Sequence, residues 1–252
     1  MENLVDVIFR AFTADQIASG ITNYKSDTTK EIILEEMENN RYDVIGAEDN
    51  YGKLIGYFQK DSNLNSLKYI SPINSQLVIS GDSPVKEVII ELQDKDFIFV
   101  LNKTEINKII TKADIGKQPV RIYLFGLIST FEVTISKLII DKGLTKSEIE
   151  EMISPNAFKK ADEIYKDRVK YNIDIDFVYC LNLVDKKEII LKNEELISVL
   201  KIKNKSKFSR YVSKLNRFRN SLVHGYDFMK LQSDIKRIVE IIKFVEEYTE
   251  LQ

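Results

Sequence analysis

The chain has 252 residues, 44% hydrophobic and 30% charged, which suits two small folded domains and excludes a disordered polyelectrolyte. The formal net charge of -2 marks no overall nucleic-acid binder. One cysteine, Cys180, and one histidine, His224, exclude an intrachain disulfide and a Cys/His zinc site, which needs about four ligands, so no metal is expected.

The opening residues, Met1 to Asp6, are acidic and lack the plan of a signal peptide. No apolar run approaches the roughly 20 residues of a membrane span, so a cytoplasmic location away from membrane is expected. Gly116-Lys117 lacks the upstream glycine of a phosphate-binding P-loop, and no Gly-x-Gly-x-x-Gly occurs.

In chain order, Thr28 to Asn40 has helical spacing, with Ile32, Ile33 and Met37 on one side. Two β-rich runs follow, Tyr42 to Ala47 and Lys53 to Phe58, joined by the hairpin residues Asp49-Asn50-Tyr51-Gly52. The same order then returns. Ser83-Pro84 opens a helix over Val85 to Leu92, and Asp96 to Leu101 and Ile106 to Thr111 read as two strands. An offset of roughly 52 to 55 residues signals a duplicated unit.

This duplicated helix–hairpin unit, over about residues 10 to 118, resembles a CBS domain pair. The most specific stretch is Lys108-Ile109-Ile110-Thr111-Lys112-Ala113-Asp114. It is similar to that family's Gly-apolar-apolar-Thr-x-x-Asp signature, with Lys108 in place of the glycine. The resemblance implies that Thr111 faces a phosphate and Asp114 the ribose hydroxyls of an adenine nucleotide (ATP, ADP or AMP) acting as a regulator. The first unit keeps the glycine, Gly56, but carries Gln59 for the Thr and Ser62 for the Asp. One nucleotide site is therefore expected. From the residue types alone, Thr111 and Asp114 also suit a helix cap.

Past Gly116-Lys117-Gln118-Pro119 the strands stop, which divides the chain into 1–118 and 119–252. Val120 to Ile140 reads as a long helix with Phe125, Ile128, Phe131, Ile135, Leu138 and Ile139 on one stripe. Glu132 interrupts that stripe. A buried acid wants a partner, and Arg219 is a candidate. Thr145 to Glu148 reads as a cap and restart. Helical pattern continues with breaks to Val184 and from about Glu194 to Ile202. Two more helices are expected, Phe208 to His224, ended by Gly225, and Leu231 to Tyr248.

From Lys201 to Asn220 there are eight Lys and Arg and no Asp or Glu. Lys203, Lys205, Lys207 and Arg210 are the candidate phosphate contacts, against the plainer reading of a solvated helix face. On the helix after them, Phe208, Tyr211, Val212, Leu215, Phe218 and Leu222 line one side. Ser209, Ser213, Asn216, Asn220 and His224 line another, and Asn220 and His224 sit one turn apart. Arg219 lies about 140° from His224, so spacing alone does not join them.

Arg219-Asn220, three residues, then His224 resembles the signature of the HEPN family, and the helical layout of 119–252 agrees. The fold class expected is thus an α+β CBS pair followed by an all-α HEPN bundle. Adding Gly225-Tyr226 gives a form similar to HEPN toxins paired with a nucleotidyltransferase antitoxin. The resemblance implies a metal-independent endoribonuclease, a toxin or antiviral defence effector, needing no cofactor for catalysis. It cuts RNA through attack of the 2′-hydroxyl and leaves a 2′,3′-cyclic phosphate. Arg219, Asn220 and His224 are the implied catalytic residues, and Tyr226 is a possible modification site. A histidine can move protons near neutrality, and an arginine can hold phosphate oxygens. With one histidine per chain, a homodimer would supply the second proton carrier. The competing expectation is a non-catalytic RNA-binding or dimerisation module beside a nucleotide sensor.

Overall fold

The computed structural model describes residues 7, 10–61, 66–67, 70–223 and 232–249. The chain divides into two compact units, residues 10–120 and a helical unit from Arg121 onward.

The first unit begins with a short helix α1 (Ala14–Ile17) and strands β1 (Ser19–Gly20) and β2 (Asn23–Lys25). Helix α2 (Lys30–Asn40), the hairpin β3 (Val44–Glu48) and β4 (Leu54–Asp61), and a short β5 (Ser66–Leu67) follow. Then come β6 (Val78–Ser80), α3 (Val85–Glu91), and the hairpin β7 (Phe97–Asn102) and β8 (Glu105–Thr111). β2 runs parallel to β3, and β6 parallel to β7, each pair bridged by a helix. Each helix is followed by an antiparallel hairpin. The hairpins even share an irregularity, one after Ala47 and the other after Val100, 53 positions apart. The duplication expected from the sequence is therefore present in topology and register. β1 joins the second repeat's sheet by pairing with β8, giving the order β1-β8-β7-β6 beside β2-β3-β4-β5.

Local chemistry explains the turns. The Asp49 carboxylate accepts the N–H groups of Tyr51 and Lys53, and Gly52 sits at φ +79°, where a Cβ would be strained. α2 buries Ile33 and Met37 against Ile45, Ala47 and Phe58. Ile32, expected on that face, is 51% exposed. It lies 100° from Ile33, and only the narrower stripe Ile33–Met37 meets the sheet. A second cluster joins the repeats, with Tyr57 of the first packed on Phe97 and Phe99 of the second, ring centroids 5.3 and 5.4 Å apart. Pro84 is the N-cap of α3, and the helix starts at Val85 as expected.

The helical unit is built around α4 (Gln118–Asp141), whose first turn contains the unit boundary. Around it are α5 (Lys146–Met152), α6 (Pro155–Lys170), α7 (Leu183–Lys192), α8 (Glu194–Val199), α9 (Lys205–Val223) and α10 (Gln232–Thr249). Thr145 and Glu148 form the expected capping box on α5. α4 buries Ile128, Phe131, Ile135 and Ile139 as expected, and also Tyr123, Leu124 and Leu127. Arg121, Ser129, Thr130 and Glu132 break up any unbroken apolar run. Even so, α4 is the one helix among the described residues that meets the length and mean hydropathy, 1.5, of a membrane span, with 56% of that window buried. α9 buries Phe208, Val212, Leu215, Phe218 and Leu222, and α10 buries Ile235, Ile238, Ile241, Ile242 and Val245, as their spacing predicts. Phe208 meets Phe244 and Tyr248 of α10 at 5.8 and 5.2 Å.

Candidate functional site

Two places hold the residues singled out by sequence. The first is a cleft of about 530 Å³ within the first unit. Its walls come from both repeats. Ser19 to Thr22, Asn40 to Val44, Gln59 and Lys60 face Asp96, Phe97, Ile109 and Thr111 to Asp114. The duplicated topology brings these segments together, because β1 crosses to β8 and carries Ser19 to the end of the second hairpin.

Asp114 is only 8% exposed. One carboxylate oxygen accepts the Thr111 N–H at 2.6 Å and the Thr111 hydroxyl at 2.9 Å. The other accepts Ser19 Oγ at 3.2 Å and pairs with Lys117 Nζ at 2.7 Å. Lys117 also donates to the Ile17 carbonyl at 2.6 Å and to Ser19 Oγ at 2.8 Å. Thr111 and Asp114 are a helix cap, the plainer of the two readings, and they also border the cleft. They close a capping box on the turn 112–116.

The departure at Lys108 has a physical reason. Its Nζ donates to Asp15 Oδ1 at 2.7 Å, as does Asn102 Nδ2 at 2.7 Å. These bonds hold the Asp15 carboxyl below its ordinary range. The lysine that replaces the expected glycine thus ties β8 to α1.

The second place is α9. Asn220 is exposed, and Arg219 is partly buried on the same helix. His224 and Tyr226 lie outside the described residues. Arg219 Nη1 pairs with Glu132 Oε2 at 3.0 Å, and its guanidinium carbon lies over the Phe125 ring, 5.8 Å from the centroid. The partner expected for the acid in α4's apolar stripe is thus in place. Arg121 of α4 donates to the Leu222 carbonyl at 2.6 Å, near the end of α9.

Sequence reasoning missed Lys186. Its Nζ reaches Glu132 Oε1 at 3.1 Å, so one carboxylate serves two cations. The Lys186 side chain is 3% exposed, and burial pulls its pKa down despite the Glu132 contact. The signal was legible. Leu183, Lys186, Lys187 and Ile190 share one face of α7 at spacings of three and four, so both lysines lie on the apolar side. Lys187 pairs with Glu188 at 2.9 Å and donates to Ser213 Oγ of α9 at 3.5 Å.

Lys203, just before α9, and Lys205, Lys207 and Arg210 in its first turns are all exposed. Lys205 is paired with Glu194 at 2.7 Å, and Lys207 lies 6.0 Å from the Tyr211 ring.

No family model matches this sequence, and no curated protein matches it. Among solved structures, the CBS domain protein TA0289 from Thermoplasma acidophilum is similar over 46% of this chain and 75% of its own, with 13% identity and a TM-score of 0.35. The CBS domain pair of protein MJ0100, solved with 5′-methylthioadenosine and S-adenosyl-L-methionine, is similar over 41% of this chain and 96% of its own, with 17% identity and a TM-score of 0.36. Protein MJ1004 from Mathanocaldococcus jannaschii is similar over 83% of this chain and all of its own, with 13% identity and a TM-score of 0.36.

Proposed function

We propose that residues 10–120 are a CBS-type pair that binds an adenine nucleotide in the cleft at Thr111 and Asp114. The observation that carries this is the cleft itself, a cavity of about 530 Å³ walled by both repeats, with both signature residues on it. The helical unit is the output. It is a HEPN-type endoribonuclease, a toxin or defence effector, and cuts RNA as a homodimer without a metal. What supports this is the sequence motif Arg219-Asn220 to His224, whose Arg219 and Asn220 lie on a late helix, with Arg219 held in place by Glu132. In this reading Arg219 stabilises charge on the phosphate, His224 moves the proton, and Asn220 orients one or the other. Lys203, Lys205, Lys207 and Arg210 bring in RNA through its phosphates. Tyr226, two residues past His224, is where a nucleotidyltransferase antitoxin would add a blocking nucleotide. Nucleotide binding biases the output only if two states of the protein bind it differently, with a coupling on the order of 1 to 3 kcal/mol.

One observation favours a second reading. Arg219 is already paired, so the helical unit can be an RNA-gripping module in which that arginine is structural. Incubation of purified protein with single-stranded RNA in EDTA decides between them. Cyclic-phosphate ends that disappear in His224→Ala and in Arg219→Ala are the expected result. Undiminished cleavage by His224→Ala refutes the ribonuclease, and binding without cleavage by wild type selects the module.

A further inference from the structure

Three ionisable groups meet inside the helical unit, and their charges do not cancel. Glu132 of α4 gives Oε1 to Lys186 of α7 at 3.1 Å and Oε2 to Arg219 of α9 at 3.0 Å. Among the described residues, Glu132 is the one acid within ion-pair distance of either cation. Asp185, next to Lys186 in the chain, instead caps α7 and accepts the Asn182 N–H at 3.3 Å. Its charge acts on Lys186 less than those of Glu132 and Arg219 do. Glu188 is taken by Lys187. Two cations thus share one carboxylate, and the cluster keeps a positive charge that no acid in it cancels.

That surplus falls on Arg219. The Lys186 side chain is 3% exposed and the Arg219 side chain 31%, so a solute reaches the arginine and not the lysine. Nη1 of Arg219 meets Glu132, and a guanidinium has further N–H donors to offer. Lys186 is costly where it stands. Burial lowers its pKa, the Glu132 charge opposes that, and the Arg219 charge adds to the lowering. An apolar side chain of similar size would fill the same space, leave Glu132 paired with Arg219, and cost the fold nothing. What the lysine changes is the charge left on its neighbour.

We propose that Lys186 is a positioning residue for phosphate binding: it neutralises Glu132, so that Arg219 is anchored by that carboxylate and still offers its positive charge to a phosphate of single-stranded RNA. This rests on the reading of Arg219 as a phosphate-binding residue, and it explains how Arg219 is paired and available at once. Lys186 acts through Glu132 and does not touch the RNA. Without it the Glu132–Arg219 pair is neutral, and an approaching phosphate meets an acid as well as a base.

The test is fluorescence anisotropy on the full chain with a 2′-O-methylated single-stranded RNA, which cannot be cut through the 2′-hydroxyl, beside melting temperatures. Lys186→Met should melt no lower than wild type, since the Glu132–Arg219 pair stays. It should bind RNA about tenfold or more weaker, the size of a charge-assisted hydrogen bond. Lys186→Met with Glu132→Gln should return to within about twofold of wild type, the usual error of additivity, because no acid then draws on Arg219. In an Arg219→Ala background, Lys186→Met should change affinity by less than about twofold, as a residue acting only through Arg219 must. Lys187→Met removes a neighbouring buried charge that does not meet Glu132, and should also stay within about twofold. If Lys186→Met lowers the melting temperature and spares RNA affinity, Lys186 is structural and the proposal is overturned. Equal weakening in the Arg219→Ala background, or by Lys187→Met, is a general effect of charge and also overturns it. Where Lys186→Met does not fold, the double variant decides: affinity like wild type supports the proposal, and a loss overturns it. If Arg219→Ala binds as wild type does, or wild type binds no RNA, the phosphate-binding reading of Arg219 fails and takes the proposal with it.

Discussion

Glu132→Gln tests the charge cluster inside the helical unit. Glu132 is 16% exposed at its side chain and gives one oxygen to Lys186 and the other to Arg219, at 3.1 and 3.0 Å. Glutamine keeps the shape but turns one acceptor into an amide donor, so one cation loses its partner. Lys186, 3% exposed, carries most of the loss, and Arg219, 31% exposed, keeps contact with water. Removing one side of a buried ion pair costs about 3 to 5 kcal/mol, and the exposure of Arg219 places this one at the low end, about 3 kcal/mol. Native-state hydrogen exchange of the α7 amides reads this in the helical unit alone. The pH dependence is a second check. Burial already lowers the folded pKa of Lys186 below its ordinary 10.5. Between the two values the unfolded chain binds more protons, so stability rises with pH across that window. Glu132→Gln removes the group that supports the charged lysine, so the window extends to lower pH. The gap to wild type closes once Lys186 is neutral in both. Lys186→Met added to Glu132→Gln should recover most of the loss, because no buried lysine charge then remains. A loss under about 0.5 kcal/mol, well below the 3 to 5 kcal/mol of a broken buried pair, would refute the argument. So would an unchanged pH profile.

Asp114→Ala should destabilise the first unit by about 1 to 3 kcal/mol, because it leaves the Thr111 N–H and the Ser19 hydroxyl without their acceptor, while Lys117 keeps the Ile17 carbonyl and Ser19 Oγ. Denaturation midpoints equal to wild type would show that the cap is dispensable. Removing charge at Lys203, Lys207 and Arg210 should lower RNA affinity and flatten its salt dependence by up to about one unit of slope per lost phosphate contact. Lys205 should contribute least, since Glu194 already neutralises it. An unchanged salt slope in fluorescence anisotropy would reduce the segment to a solvated face. If cleavage needs two histidines, sedimentation should give a dimer at working concentration, and a fully active monomer would end that argument.

Much of this was legible in the chain. The repeat showed because helix and strand periods recur at a fixed offset, and register follows from which residues must face inward. The apolar stripes of α9 and α10 matched burial except at Tyr211, which is half-buried, since a helix in contact with a core has one face to hide. Glu132 could be marked as needing a partner from its place in an apolar stripe alone. Lys186 was overlooked, although its own face on α7 pointed inward, because a lysine on an apolar face reads as tolerated until the acid it meets is known.

The sequence by itself determined most of the strands and helices and the duplication, although helical pattern was expected only to Val184 and again from Glu194, where α7 runs over Leu183–Lys192. Those are local properties, set by spacing along one chain. Tertiary structure decided what no local rule reaches. It carried β1 across to β8, so that Ser19 meets Asp114, 95 positions away. It set Arg41 and Lys60 opposite Thr111. It put one carboxylate between Lys186 and Arg219, from helices far apart in the chain. A charge in a folded protein takes its role from the charges it meets, and those meetings are fixed by how the sheets and helices pack.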